Sequence, residues 1–178
     1  MKKLFAILLA MVLCLSAFAL AEAASDAEYV DPHGDLAFHY DSTAFEITDD
    51  TEEDDVHNVV LNGTNDQWGA YSIVFNLRDL AEGEAAPELG AYGDELEEGA
   101  EATQGEWNGF ENVIQYSNAT DEAYYQVFIV PVKDAEDGEV EEVLSIFVEA
   151  QKLEGEDAAM DRDDAISNVL DSLKLLDD

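Results

Sequence analysis

Cysteine and cationic residues are scarce in this sequence. Its 178 residues include one cysteine and three histidines, and 7 Lys+Arg stand against 43 Asp+Glu, for a formal net charge of −36. So few cations exclude direct nucleic-acid binding, which requires Lys and Arg to neutralise phosphates, and they oppose docking on anionic membranes. Because 47% of the residues are hydrophobic, the chain can form a core and differs from a disordered acidic tail.

Residues 1–23 are predicted to be a cleaved secretory signal peptide of bacterial type. Lys2 and Lys3 precede an apolar run, and Ala-x-Ala sites follow that run. We expect cleavage after Ala23, with cleavage after Ala21 as the alternative. A permanent membrane anchor is the competing interpretation, but the apolar run is short for a membrane span. The sequence therefore predicts a protein that is secreted or held in the cell envelope of a bacterium.

The single cysteine, Cys14, lies inside this predicted signal peptide. It follows Leu13, whereas a lipoprotein signal has a small residue before the acylated cysteine, so lipid attachment is not expected. Cleavage after Ala23 would leave no cysteine, which excludes disulfides, thiolate metal sites and cysteine nucleophiles. It would also leave five of the seven cations and 42 of the 43 acids. Most carboxylates would then have no ion-pair partner available.

The rest of the chain is predicted to form one α+β domain, an antiparallel β-sheet flanked by helices. Residues 24–35 are interpreted as a flexible leader because Pro32 and Gly34 break regular structure, and residues 36–178 as the domain. Apolar and polar residues alternate in the strands, and Asn108-Gly109 between two of them predicts a tight hairpin. The predicted strands are 36–40, 45–48, 56–61, 71–77, 103–107, 110–116, 124–132 and 142–151.

Two helices are predicted to cover the sheet. The first begins at Pro87 and carries Leu89, Tyr92 and Leu96 on one face. The second closes the chain, with Asp157 as its N-cap and an apolar stripe along one side. That stripe comprises Ile166, Val169, Leu170 and Leu173.

This order of elements resembles the PsbP-like fold. Three stretches carry the resemblance: LAFHYDSTAFEI, the hairpin EWNGFENVIQY, and the ending LSIFVEAQ…AISNVLDSLKLL. The fold is shared by the extrinsic PsbP proteins of photosystem II, the Mog-type Ran-binding proteins and many secreted bacterial proteins. The resemblance implies a helix-sheet-helix sandwich. It implies little about activity, since this fold serves mainly as a binding scaffold.

Runs of carboxylates are the candidate metal sites, since Ca²⁺ takes about six to eight oxygen ligands. The densest run lies at 49–55, which is expected to be a loop. No run has the spacing of an EF-hand, so a solvated acidic surface is the competing interpretation. The candidate ligands in the densest run are Asp49, Asp50, Glu52, Glu53, Asp54 and Asp55. Two shorter groups are Asp31, His33 and Asp35, and Asp134, Glu136, Asp137 and Glu139.

No organised catalytic set is recognisable in the sequence. Ser145 lies within a predicted strand, no G-x-S-x-G motif is present, and His39 faces away from the apolar side of its strand. With so many acids, chance carboxylate pairs are not specific for glycosidase chemistry. Four aromatic residues could stack on a sugar, although cross-strand packing is the alternative. They are Trp68, Tyr71, Trp107 and Tyr124.

The sequence therefore predicts a secreted, strongly acidic, non-enzymatic binding or structural module. Its partner would be a protein or a component of the cell envelope, and the processed chain would have no cofactor and no membrane-spanning segment. The acidic surface suits cationic partners, salt-rich surroundings or plain solubility. A Ca²⁺-binding acidic module is the first alternative, and a carbohydrate-binding or carbohydrate-acting protein is the second.

Overall fold

A computed structural model describes residues 26–32, 35–53, 56–81, 83–89, 100–133 and 138–176 of the chain. Over these ranges it contains ten β-strands, one short 3-10 helix (Asp66–Trp68) and one complete α-helix, α1 (Glu156–Ser172). The strands are β1 (Ala27–Val30), β2 (Leu36–Tyr40), β3 (Phe45–Glu53), β4 (Val56–Gly63), β5 (Tyr71–Asp79), β6 (Glu101–Trp107), β7 (Phe110–Ala119), β8 (Ala123–Lys133), β9 (Val140–Gln151) and β10 (Lys174–Leu175).

The strands pair antiparallel in two sheets. The large sheet has seven strands in the order β3-β4-β5-β9-β8-β7-β6, and the small sheet has three in the order β1-β2-β10. β9 is therefore the middle strand of the large sheet. It pairs with β5 from Tyr71 opposite Ala150 to Asp79 opposite Glu142, and with β8 on its other side.

One face of the large sheet, which we call the covered face, packs against α1 and the small sheet. Alternation puts every second residue of a strand on this face. Phe38 of β2 stacks on Phe75 with ring centroids 4.7 Å apart, which joins the two sheets. The covered-face residues of β5 and β9 are buried: Tyr71, Ile73, Phe75, Leu77, Leu144, Ile146, Val148 and Ala150. The helix contributes Ile166, Val169, Leu170 and, just beyond its end, Leu173 to the same core.

The opposite face of the large sheet, which we call the open face, carries a smaller apolar cluster. Leu80 and Leu89 pack against that cluster. Its buried members are Ile114, Val127, Ile129 and Val143. Elsewhere on β4 and β5 this face is half-exposed and largely polar, as at Asn58, Asn76 and Ser72. The large sheet is thus enclosed on one side and accessible over part of the other.

The prediction of an antiparallel sheet flanked by helices on both sides is wrong. The described residues are mostly strand, and α1, their one complete helix, packs on a single face. The helix predicted from Pro87 falls mainly on residues 90–99, which lie outside the described residues. Strand structure also extends into predicted loops: β1 lies in the predicted leader, and β3 continues to Glu53. Pairing with β2 and β4 supplies the hydrogen bonds that these segments lack as isolated sequences.

Seven of the eight predicted strands are confirmed within three residues at each end, and the C-terminal helix is confirmed. The strand predicted at 45–48 is five residues longer and ends at Glu53. Asn108 and Gly109 have φ angles of 48° and 84° and connect β6 to β7, as a tight hairpin requires. The predicted N-cap Asp157 is wrong, because α1 begins at Glu156 and Gly155 occupies the N-cap position without a side-chain hydrogen bond.

The predicted signal peptide, residues 1–23, lies outside the described residues. Across the ranges that the structure describes, no helix combines the length and the apolar character needed to cross a bilayer. The predicted leader is ordered in part. Tyr29 of β1 stacks on Phe38 with ring centroids 4.9 Å apart, so the folded region begins before residue 36.

Candidate functional site

The predicted Ca²⁺ ligands are not gathered into one site. Four of them lie on strand β3 instead of in a loop, and all four are exposed: Asp49, Asp50, Glu52 and Glu53. Asp54 and Asp55 lie outside the described residues, as do His33 and residues 134–137 of the two shorter groups. Within the part of the chain that the structure describes, no group of three or more His, Cys, Asp or Glu side chains is arranged to hold a metal ion.

The pleat of β3 explains this separation. Beyond an irregularity between Ile47 and Asp49, Asp49 lies opposite Val60 and Asp50 lies opposite Val59. Residues opposite each other in paired strands share a face, and Val59 is buried in the core on the covered face. Asp50 therefore lies on the covered side of β3, and Asp49 lies on the open face. Carboxylates that alternate between the two faces of a strand cannot converge on one cation.

Asp50 instead belongs to a polar group at the junction of the two sheets, which we call the junction cluster: Tyr29, Asp31, Asp50 and His57. Nε2 of His57 lies 2.9 Å from Oδ1 of Asp50, and its Nδ1 lies 3.7 Å from Oδ1 of Asp31. The Tyr29 hydroxyl donates to Asp50 over 3.0 Å. The imidazole therefore lies between two carboxylates, one from each sheet region.

Burial of Asp31 and Tyr29 determines the hydrogen bonding of the junction cluster. The Asp31 side chain has no solvent exposure, and its Oδ2 accepts a hydrogen bond from the Asp35 backbone N–H at 2.9 Å. Burial, reinforced by the hydrogen bond to Asp50, raises the pKa of the Tyr29 hydroxyl far above its usual value. The hydroxyl therefore stays protonated and serves as a donor. These contacts fasten β1 and the turn after it to β3 and β4.

The residues considered for hydrolase chemistry are held on different sheets. His39 lies on β2 of the small sheet, where its Nε2 is 4.0 Å from a Glu28 oxygen. Ser145 lies on β9 opposite Asn76 and Ile129, on the open face of the large sheet. The structure does not bring this serine and this histidine together.

The four aromatic residues considered for sugar stacking pack on the covered side of the large sheet. Trp107 stacks on Phe128 with centroids 4.5 Å apart, and Trp68 lies 5.8 Å from Tyr71. Tyr71 is buried, and Tyr124 donates its hydroxyl to Asp163 over 2.8 Å. Cross-strand and core packing accounts for their positions.

Arg162 is a buried residue that no sequence pattern singled out. It is 2% exposed and donates to the Gln151 carbonyl, to the Trp68 carbonyl at 3.3 Å and to Asp163 at 3.0 Å. Its guanidinium also lies 5.4 Å from the centroid of the Tyr124 ring. These contacts fasten α1 to the end of β9 and to the 3-10 helix, so Arg162 is part of the scaffold.

The open face carries the feature most typical of a binding surface, which we call the apolar row. Five apolar or aromatic residues lie opposite one another across five adjacent strands: Val60, Val74, Phe147, Val127 and Tyr116. Side chains opposite one another in antiparallel strands are close enough to form one continuous surface. Phe147 lies in the middle of this row and is 43% exposed, whereas Val127 is buried in the smaller apolar cluster. The other three members of the row are half-buried.

A polar and acidic row runs beside the apolar row. It consists of Asn62, Ser72, Glu149, Tyr125 and Asn118, again opposite one another across the same strands. Most of these side chains line an open cavity of about 580 Å³, to which Asp121, Glu122 and Lys152 also contribute. The cavity therefore has three carboxylates, including that of Glu149, and one ammonium group on its walls.

The sequence contained a signal for Phe147. Alternation in strand 142–151 places Phe147 on the same face as Ser145 and Glu149, opposite the buried residues of the strand. A large aromatic residue on the face that carries Ser145 and Glu149 departs from the alternation of apolar and polar residues along this strand. That departure marks Phe147 as a candidate surface residue. Its importance depends on the residues opposite it, which a single strand does not reveal.

No known protein family matches the sequence, and no curated protein is similar to it. The resemblance to the PsbP-like proteins stays a prediction. The helix-sheet-helix sandwich that it implied is not the fold of the described residues.

Proposed function

We propose that the protein is a secreted, non-enzymatic binding module and that the open face of the large sheet is its binding surface. Phe147 is the observation that carries this proposal. Phe147 is 43% exposed at the middle of a central strand. Its exposed aromatic surface does not contribute to the stability of the fold in the way that buried apolar surface does. Together with the half-buried Val74 and Val60, Phe147 forms an accessible apolar surface with a polar rim, which is characteristic of interaction sites.

Continuity distinguishes Phe147 from the other exposed apolar side chains. Val30, Met160 and Leu176 are 51%, 61% and 37% exposed, but they lie on β1, on α1 and after β10. Scattered apolar residues of this kind are normal on protein surfaces. Phe147 instead has the half-buried Val74 opposite it on one neighbouring strand and the buried Val127 on the other, so it continues an apolar part of the sheet.

The N-terminal sequence supports the secreted part of this proposal. Its cationic start, apolar run and Ala-x-Ala sites are those of an export signal. The partner would then be an extracellular molecule or a component of the cell envelope. A binding role needs no catalytic group, and the open face offers shape, apolar contact and charge.

Site-directed photo-cross-linking tests this proposal even while the partner is unidentified. A benzophenone amino acid would replace Phe147 in one variant and Met160 in a control variant, because both side chains are exposed but only Phe147 belongs to the apolar row. Each variant would be produced by the exporting cell and irradiated in its own medium. Covalent products would be separated by mass and identified.

We expect a discrete covalent product from position 147 and none from position 160. Addition of excess unmodified protein should compete for the partner and reduce the yield. The absence of any product from position 147, or the same products from both positions, would overturn the open face as the binding surface. Thermal unfolding of both variants would confirm that they are folded.

A further inference from the structure

We infer that the open face binds a cationic, amphipathic polypeptide segment. An apolar side chain of the segment would lie on the apolar row, and a Lys or Arg side chain two residues away would lie against the carboxylates beside that row. This inference rests on the proposed function, because it names the class of partner for the same surface.

The spacing of Phe147 and Glu149 supports this partner. Both lie on the open face of β9, two residues apart, so their positions along the strand differ by about 6.6 Å. On the neighbouring strand, Val127 and Tyr125 repeat this offset between the apolar and the polar row. An extended polypeptide presents residues i and i+2 on one side with the same spacing. A segment with an apolar residue two positions from a basic one would therefore contact both rows.

The charges on this face favour a cation. Asp121, Glu122 and Glu149 line the cavity beside the apolar row, against the single cation Lys152. Arg78, which shares the open face, has its guanidinium nitrogen 2.7 Å from a Glu84 oxygen and is thereby neutralised. The net charge of −36 adds a long-range attraction that accelerates the approach of a cationic partner.

The same charges disfavour the other classes of occupant. Two copies of the chain would each bring a net charge of −36 to a shared interface, so self-association through this face is opposed by repulsion. Phosphates of nucleic acids and anionic lipid headgroups are repelled in the same way. A neutral glycan can donate hydroxyl hydrogen bonds to the carboxylates but brings no charge to pair with them, whereas a basic polypeptide gains both apolar contact and charge pairing.

Three synthetic peptides would test the inference by titration calorimetry with the purified exported protein, near 0.15 M salt, where the screening length is about 8 Å. The first repeats Leu-Ser-Lys-Ser, so that leucine and lysine alternate on one side when the peptide is extended. The second carries glutamate in place of lysine. The third carries serine in place of leucine.

Four protein variants localise the binding. Phe147→Ser removes the aromatic side chain of the row, and Met160→Ser removes an exposed apolar side chain from α1. Glu149→Gln removes a carboxylate beside the row, and Asp171→Asn removes one from the exposed side of α1. Phe147→Ser and Met160→Ser each remove one exposed apolar side chain, so a difference between them shows that the position on the open face matters. Glu149→Gln and Asp171→Asn each remove one negative charge, so a difference between them separates a local effect from the effect of net charge.

We expect saturable binding of the Leu-Ser-Lys-Ser peptide and at least about tenfold weaker binding of the other two. Phe147→Ser should weaken binding about tenfold and Glu149→Gln about threefold, with both control variants unchanged within about twofold. Equal losses in Glu149→Gln and Asp171→Asn, or equal binding of the glutamate peptide, would overturn the inference.

The cross-linking result separates this inference from the proposed function. A product at position 147 that contains a glycan, or a protein segment without basic residues, would overturn the cationic polypeptide while leaving the open face as the binding surface. The absence of any such product would overturn the proposed function itself.

Discussion

Asp31 and His57 face each other at the junction of the two sheets, with a carboxylate oxygen 3.7 Å from Nδ1 of the imidazole. Asp31 follows β1 and His57 lies on β4, so this contact joins the small sheet to the large one. Because the Asp31 side chain has no solvent exposure, its charge must be compensated inside the protein. The backbone N–H of Asp35 donates a hydrogen bond to this carboxylate, and the His57 ring lies beside it.

Removal of the Asp31 carboxylate should therefore destabilise the protein. We expect Asp31→Ala to lower the free energy of unfolding by about 2–3 kcal/mol, because it leaves the Asp35 N–H without its acceptor and removes one of the two carboxylates beside His57. The exposed Glu28→Ala on β1 should cost less than about 0.5 kcal/mol. A double-mutant cycle with His57→Ala, measured by urea unfolding, should give a coupling energy of about 1 kcal/mol. Strict additivity would show that the two side chains do not interact.

Ile146 and Phe147 are adjacent on β9, but substitution by threonine should lower the free energy of unfolding much more at Ile146 than at Phe147. Ile146 is fully buried, so Ile146→Thr places a hydroxyl in the core and should cost about 2–4 kcal/mol. Phe147 is on the open face, and Phe147→Thr should change the unfolding free energy by less than about 1 kcal/mol because threonine suits an exposed strand. Chemical denaturation of both variants measures this difference. A large loss in Phe147→Thr would mean that the side chain serves folding instead of binding.

Glu142 should make stability depend on pH in an unusual direction. Burial first, and then the nearby carboxylates of Asp35, Asp79 and Glu141, raises the pKa of its carboxyl above the ordinary 4.5. A folded-state pKa above the unfolded one means that its stabilising contribution is complete below about pH 4.5 and is lost as the pH rises through the folded-state value.

Ionised Glu142 therefore destabilises the fold at neutral pH. We expect Glu142→Gln to be more stable than the natural protein near pH 7, with a difference that shrinks towards zero near about pH 4. Urea unfolding at several pH values measures this. Glu139→Gln, at an exposed position just before β9, serves as the control. A gain in stability that is independent of pH would show that charge is not its cause.

Arg162 and Arg78 test the difference between a buried and an exposed cation. Arg162→Ala should cost about 3–5 kcal/mol, because it removes the side-chain donor of two backbone carbonyls and leaves Asp163 only the Tyr124 hydroxyl. Arg162→Lys should recover little, since a lysine cannot reach all three acceptors with one ammonium group. Arg78→Ala removes an exposed ion pair and should cost less than about 1 kcal/mol. Thermal unfolding that ranks Arg78 above Arg162 would contradict the role of Arg162 in anchoring the helix.

The acidic surface should respond to salt without preference for calcium. The carboxylates of β3 alternate between two faces, so we expect NaCl and CaCl₂ of equal ionic strength to raise the melting temperature equally by screening repulsion. A specific site filled at about a hundred times its dissociation constant would add roughly 2.7 kcal/mol, a shift of order 5–10 °C at this size. Such a rise with CaCl₂ alone, reversed by chelator, would favour the calcium-binding alternative.

Alternation predicted most of the large sheet because its strands bury one face. Tyr71, Ile73, Phe75 and Leu77 recur at every second position, and each is buried. The Asn108-Gly109 hairpin was predictable because its backbone requires positive φ at both positions. These features are local, so the sequence of one segment is sufficient to specify them.

The features that sequence reasoning missed depend on partners elsewhere in the chain. Asp49 to Glu53 contains residues that disfavour strands, and it becomes part of β3 because Val56 to Leu61 pairs with it. Tyr29 orders the segment expected to be a leader because Phe38 stacks on it. The apolar row was hidden for the same reason, since its members come from five strands and only their register places them side by side.

β2 lies between β1 and β10, which come from opposite ends of the described chain. Ser172 contacts both the backbone N–H and the carbonyl of His39, across 133 residues of sequence. Closing a contact over such a distance is slow relative to forming a local hairpin, because the loop entropy must be lost before the contact compensates for it. A chain that emerges N-terminus first would therefore complete its small sheet only after its last helix has emerged. Until then the edge of β2 at Leu36 and Ala37 would lack the strand that pairs with it.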